Sequence, residues 1–275
     1  MSKYVFLDVD GTLNESFAPV PESALTAIRQ ARANGHKVFL NTGRSKGEVP
    51  EALRHIALDG MVTSAGAYVE IDGKAIYDQD MGQEICQELY RFLDRHKVLY
   101  VLETQTEIIG TKEALDFQRH TFADVQEKHG VPREQENELE KIMRESEDVY
   151  HEPGVKKILY YNAPIPQDTI QQAFEGSLRV IASTISQEHG VSGEINDVRI
   201  NKATGMQRVV EYFGDTMDQT IAVGDGSNDF EMIRAAGIGI AMGNADPALK
   251  AQADLVTTHV REDGLKHAFE QCGLI

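Results

Sequence analysis

The chain has 275 residues, 41% of them hydrophobic, and a formal net charge of −17 at pH 7. That length suits one large or two modest domains, and the apolar content is enough for a packed core, which argues against general disorder. The charge excludes nucleic acid and anionic membrane as partners, since no basic stripe offsets it; an anionic small substrate requires locally concentrated positive charge, which a metal ion supplies most compactly.

Two cysteines, Cys86 and Cys272, fit no zinc or redox spacing and read as reduced thiols. No run is long enough for a transmembrane helix, and Asp8 follows Met1 too closely for a secretory h-region, so a reducing cytoplasm is the expected setting. Oligomeric state is not legible; a monomer and a homodimer both remain open.

In chain order, Tyr4 to Leu7 is an apolar run ended by Asp8. Pro21 to Asn34 reads as a helix: Pro21 suits the first turn, Leu25, Ile28 and Ala31 recur at helical spacing, and Gly35 stops it. Val38-Phe39-Leu40 is the next run, ended by Asn41-Thr42-Gly43, and a helix is expected between Pro50 and Gly60. Met61-Val62-Thr63 is a third run. Short apolar runs separated by helices predict a parallel sheet with helices on both faces.

The middle, from about Met81 to His189, has a different texture. Longer helices near Gln83–His96 and Thr111–His129 alternate with period-two strands at Val98–Leu102, Val155–Tyr161 and Leu178–Ser186. In the second of these strands Lys156, Lys157, Tyr160 and Tyr161 are expected to face solvent and core in alternation. The acidic stretch Arg133–Asp148 reads as a solvated helix face.

The last third returns to the first pattern. Thr220 to Val223 is a run ended by Gly224-Asp225, followed by a helix with Asn228 or Asp229 as N-cap and Gly237 as stop. Ile238–Met242 is a strand, Asp246-Pro247 opens a short helix, Leu255-Val256 is a further strand, and a final helix carries Leu265, Ala268, Phe269 and Cys272. The fold class is therefore α/β: a doubly wound parallel-sheet core, residues 1–81 and 190–275, with an inserted α+β domain at residues 82–189.

Three apolar runs end in polar, glycine-containing motifs: Asp8-Val9-Asp10-Gly11-Thr12, Thr42-Gly43-Arg44 and Gly224-Asp225-Gly226-Ser227-Asn228-Asp229. Ligands of open parallel sheets gather outside the carboxyl ends of the strands, so all three motifs point to one place. Asp8 and Asp10, at i and i+2 in extended chain, point to one side, and two carboxylates there call for a cation or a raised pKa. Magnesium favours a few carboxylates plus water and phosphate oxygens; Asp8 and Asp225 supply two, and the Asp10 carbonyl offers a third ligand. With Mg²⁺ present, Asp8 can remain an ionised nucleophile while Asp10 carries a proton. Read alone, the same acids also suit turn capping, and Asn228 and Asp229 suit helix capping. Thr42, Gly43 and Arg44 can hold phosphate oxygens, or form an ordinary strand–helix loop. Lys202, in Asn201-Lys202-Ala203-Thr204-Gly205, supplies the fixed positive charge that an anion site in so acidic a chain requires.

Taken together these residues resemble the haloacid dehalogenase superfamily of phosphatases, and most nearly the Cof-like hydrolases, whose large C2-type cap is inserted after the third strand. Asp8-Val9-Asp10-Gly11-Thr12 is similar to the first family motif, Thr42 to the second, Lys202 to the third and Gly224–Asp229 to the fourth; Ala241-Met242-Gly243-Asn244-Ala245 also resembles the stretch that follows. Two departures are visible: Ser64-Ala65-Gly66-Ala67 where the family often has Asn-Gly-Ala, and Lys202-Ala203 where it often has Lys-Gly.

The resemblance implies a Mg²⁺-dependent phosphohydrolase acting on a small phosphorylated metabolite, such as a sugar phosphate. Asp8 would take the phosphoryl group and Asp10 would serve as general acid, then base. Asp8, Asp10, Asp225 and Asp229 would form the metal centre, and Gly11, Thr42, Gly43, Arg44, Lys202 and Asn228 would hold phosphate. The cap would exclude water and select the leaving group. Three other readings use the same residues: a phosphomutase or phosphotransferase with this core, a signalling receiver, for which the chain is long, and a non-enzymatic phosphate-binding regulator.

Overall fold

A computed structural model describes residues 2–15, 18–129, 138–182 and 191–275. The acids Glu134 and Glu136, the expected strand end at Ser183–Ser186 and the expected boundary between residues 189 and 190 lie outside the described residues.

The chain forms two compact units: Met1–Arg44, Glu51–Asp78 and Ile200–Ile275 in one, Ser45–Pro50 and Gln79–Arg199 in the other. In chain order the strands are β1 (Tyr4–Leu7), β2 (Lys37–Asn41), β3 (Gly60–Thr63), β4 (Tyr68–Ile71) and β5 (Lys74–Asp78). There follow β6 (Leu99–Glu103), β7 (Ile108–Gly110), β8 (Met143–Glu145), β9 (Lys157–Ala163), β10 (Leu178–Ala182) and β11 (Val191–Asp197), then β12 (Thr220–Gly224), β13 (Ile238–Ala241) and β14 (Leu255–Val256).

The first unit is built on an eight-stranded sheet of order β14-β13-β12-β1-β2-β3-β4-β5. From β14 to β3 the pairings are parallel; β3, β4 and β5 pair antiparallel. The antiparallel β4–β5 hairpin is an addition to the parallel sheet read from sequence. All four residues of β1 are buried, as expected for a strand covered on both faces, which is why it reads as continuous apolar sequence. Leu7 lies opposite Val223 on one side and Leu40 on the other. The polar residues that follow these three strands therefore leave the sheet side by side.

Helix α1 (Glu22–Ala33) buries Ala24, Ala27, Ile28 and Ala31; Pro21 stands at its N-cap, one position before the expected first turn. The helix expected between Pro50 and Gly60 is a single turn, Glu51–Arg54, and Gly60 is already in β3. A Cβ on Gly60 would lie 2.2 Å from the Glu70 carbonyl, so the close approach of β4 claims that glycine for the sheet.

The second unit has a six-stranded sheet of order β10-β11-β9-β6-β7-β8, antiparallel except for β7–β8. Helix α2 (Gln83–Arg95) and helix α3 (Lys112–His129) flank it. One cluster joins Leu89, Tyr90 and Leu93 to Leu102, Ile158 and Ile195; another joins Val101, Ile108 and Tyr161 to Ala114 and Leu115. Residues alternate between these clusters along β6 and β9, so both faces of the sheet are packed. Two expectations are corrected here. Lys156, Lys157, Tyr160 and Tyr161 are all buried, because neither sheet face is left to solvent. Lys157 Nζ lies 3.1 Å from Glu103 and 3.3 Å from Glu194. Within the acidic stretch, Met143–Glu145 is not helical; it pairs with β7.

Candidate active site

The site is assembled where β1, β2, β12 and β13 end. Asp8 follows β1 directly, and its N–H donates to the Val223 carbonyl at 3.0 Å, which extends the ladder by one residue and fixes the side chain. The next residues turn sharply: Thr12, Leu13 and Asn14 all direct their N–H groups to the Val9 carbonyl. Gly11 adopts φ +92°, and a Cβ there would lie 2.1 Å from Asp225 Oδ2. Only glycine satisfies both conditions.

Lys202 opens helix α4 (Lys202–Phe213). Asn201 caps this helix: its side chain accepts from the Thr204 N–H, while Thr204 Oγ1 accepts from the Asn201 N–H. The cap aims Lys202 inward. Its Nζ donates to Asp8 Oδ1 and Asp229 Oδ1, both at 2.6 Å, and the side chain is fully buried. Burial opposes the ammonium, but Asp229 and Asp8 outweigh it and hold the Lys202 pKa above its ordinary value. Asp229 is 0% exposed; its Oδ2 accepts the N–H groups of Asp225 and Gly226 at 2.9 Å each. It therefore ties the loop after β12 to Lys202.

Asp225 is half-buried and accepts from Thr12 Oγ1 at 2.9 Å. Among the described residues, Asp8, Asp225 and Asp229 offer carboxylate oxygens within 4.8 Å of one another. One ammonium does not neutralise them. Burial, then Asp229, push Asp8 up to about 8 against the pull of Lys202. Burial pushes Asp225 up to about 6, opposed by the Thr12 hydrogen bond. Crowded, hard oxygen donors held at elevated pKa fit a divalent cation, which would remove the cost of ionising them together.

The other candidate residues fall as follows. Arg44 grips both oxygens of Asp10, Nε to Oδ2 at 2.8 Å and Nη2 to Oδ1 at 2.7 Å. Its fork thus engages an acid of the first motif, where the sequence reading has it on phosphate. The Gly11 N–H donates to the Asn14 carbonyl at 2.7 Å, within its own loop. Thr42 is buried, and its Oγ1 accepts the Arg44 N–H at 3.2 Å. Asn228 is exposed, and its Nδ2 lies beside Gly43, 3.6 Å from where a Cβ would stand.

Three contributors escape the sequence reading. Thr12 steers Asp225, though its place in Asp-x-Asp-Gly-Thr is a visible signal. Asn244 donates to the Gly11 carbonyl at 2.7 Å. The turn Ser64–Gly66 has φ values of 49°, 54° and 109°, and the N–H groups of Ser64 and Ala65 reach the carbonyls of Arg44 and Thr42 at 2.7 and 3.0 Å. Among the described residues, Ser64 Oγ is buried with no hydrogen-bond partner.

Residues 5–269 match the family model of haloacid dehalogenase-like hydrolases. The Bacillus subtilis protein YkrA is 29% identical over 276 residues, covering 100% of this chain and 99% of its own. The B. subtilis 5-amino-6-(5-phospho-D-ribitylamino)uracil phosphatase YcsE is 27% identical, covering 97% and 94%. The Escherichia coli pyridoxal phosphate phosphatase YbhA is 24% identical, covering 93% of each. Among solved structures, a Geobacillus kaustophilus protein superposes with a TM-score of 0.82 at 24% identity over 100% of both chains. BT1666 from Bacteroides thetaiotaomicron, a phosphatase of the same superfamily, gives 0.80 at 24% identity over 100% of this chain and 96% of its own.

Proposed function

This chain belongs to the haloacid dehalogenase-like hydrolases, and from that premise we propose that it is a phosphatase that passes the phosphoryl group of a small phosphomonoester to Asp8 and then to water. The observation that carries the reading is the buried contact of Lys202 with both Asp8 and Asp229, beside the half-buried Asp225.

In this reading Asp8 Oδ2 faces the phosphorus, because Oδ1 is held by Lys202. Lys202 keeps the carboxylate oriented, and Thr42 and Asn228 receive the phosphoryl oxygens. Asp10, oriented by Arg44, gives its proton to the leaving alcohol and then takes one from water. Asp8, the Asp10 carbonyl and Asp225 would hold a Mg²⁺ ion, while Asp229 braces Asp225 and Lys202. Such an ion, when bound, neutralises charge on the transferring phosphoryl oxygens. The remaining task of the protein is positioning and electrostatic stabilisation.

The relatives named for ribitylaminouracil phosphate and pyridoxal phosphate act on small phosphorylated metabolites. We place this substrate in the same broad class, with a sugar phosphate or similar phosphomonoester as the first choice. The test is a panel of phosphate esters assayed for inorganic phosphate with and without Mg²⁺. Release that requires Mg²⁺ supports the proposal. Isomerised substrate with almost no free phosphate would instead mark a mutase, and no turnover of any ester would leave a phosphate-binding regulator.

A further inference from the structure

Resting on the divalent-cation reading above, we propose that Asn244 is a positioning residue for the cation, holding the Asp225 carboxylate and the Asp10–Gly11 loop in the arrangement that binds it.

β13 runs beside β12 with Ala241 opposite Gly224, so the chain that follows emerges next to Asp225. Asn244 lies in that loop and uses both ends of its amide. Nδ2 donates to the Gly11 carbonyl at 2.7 Å and lies 3.5 Å from Asp225 Oδ2, the outer limit of a hydrogen bond. Oδ1 accepts the Val260 N–H at 3.0 Å. A flipped amide would set its oxygen against two acceptors and its nitrogen against a donor, so the surroundings determine the orientation.

The contacts converge on one carboxylate. Thr12 donates to Asp225 Oδ1 at 2.9 Å, and Asn244 approaches Oδ2. Each oxygen therefore meets one protein donor and keeps lone-pair capacity for an ion. The Asp246 N–H also holds the Asp225 carbonyl, at 3.1 Å. On the other side, Asp225 Oδ2 packs so closely on Gly11 that a Cβ would lie 2.1 Å away. The bond from Asn244 to the Gly11 carbonyl thus sets the wall against which Asp225 rests. It also restrains the peptide next to the Asp10 carbonyl, the third proposed ligand. Partners of this kind, one step removed from an ion, typically contribute 10–100-fold to its affinity, here taken as an order of magnitude. The structural rival is a simple staple between the loop after β13 and the turn at Val260.

The experiment uses the full chain stripped of metal, with Mg²⁺ titrated calorimetrically and through the Mg²⁺-induced shift in Tm. Asn244→Ala should weaken Mg²⁺ binding by about 10–100-fold. Thr12→Val should also weaken binding, and the double variant should lose less than the product of the single losses, because both donors serve one carboxylate. Asn244→Ser, too short to reach Gly11, provides the same readout if the alanine variant does not fold. Unchanged Mg²⁺ affinity with a lowered metal-free Tm would reveal a staple and overturn the proposal. So would strictly multiplicative losses in the double variant. A wild-type chain that binds no Mg²⁺ would fail the cation reading itself, a distinct outcome that removes this inference with it.

Discussion

Lys202 Nζ lies 2.6 Å from Asp8 Oδ1, a buried contact between residues 194 positions apart. Breaking one side of such a pair leaves a charge in a dry site, which costs about 3–5 kcal/mol. Lys202→Met should therefore lower metal-free stability by that order, measured by urea denaturation. The Asp8→Asn/Lys202→Met double variant should lose less than the sum of its parts, because the unpaired carboxylate is gone.

The raised pKa values of Asp8 and Asp225 set a pH dependence of definite sign. Burial and neighbouring acids raise Asp8 from 3.8 to about 8, so between those values the folded chain binds more protons than the unfolded chain. Stability is then lost as pH rises. Asp225, raised to about 6, adds to the loss at the acid end of the window. Without metal, the Tm of the wild-type chain relative to Asp8→Asn should fall between pH 5 and pH 8. Saturating Mg²⁺ should flatten that difference. A relative Tm that rises over the range would contradict the account.

Arg44 holds Asp10 through two parallel contacts. A lysine supplies the charge without the planar fork. If Asp10 acts as general acid, Arg44→Lys should lower kcat/KM for an alkyl phosphate by about 10–100-fold, within the range of general acid catalysis. For p-nitrophenyl phosphate, whose leaving group needs little protonation, the loss should be smaller. Equal losses for both esters would assign Arg44 to phosphate binding.

In the second unit, Lys157 is buried between Glu103 and Glu194. Burial, then Glu48, push the Glu103 carboxyl well above its ordinary range, against the pull of Lys157. Lys157→Met should destabilise the chain by about 3–5 kcal/mol. Adding Glu103→Gln should restore part of that, as read from the denaturation midpoint of the double variant.

The ends of β1, β2 and β12 at the candidate site are legible because strands buried on both faces leave unbroken apolar runs, and Asp8, Asn41 and Asp225 mark where those runs give way to polar residues. The start of helix α4 at Lys202 depends on the reciprocal cap of Asn201 and Thr204, a contact between side chain and backbone that apolar spacing does not show. Other features depend on neighbours distant in sequence. Gly60 looks like a helix stop until the Glu70 carbonyl is seen packed against it. Lys157 looks like the solvent side of a period-two strand until the second face of its sheet is found to be covered. Asn244 and the strained Ser64–Ala65 turn carry no chemistry of their own; their contacts with Gly11, Thr42 and Arg44 exist only once the loops are brought together.

The most direct test of the account is to quench the wild-type chain and Asp8→Asn in acid during turnover of p-nitrophenyl phosphate with Mg²⁺, and to map any covalent phosphate by mass spectrometry. A phosphoryl adduct is expected on the peptide containing Asp8 in the wild type, with neither adduct nor turnover in the variant. Full turnover by Asp8→Asn, or an adduct on another residue, would contradict it.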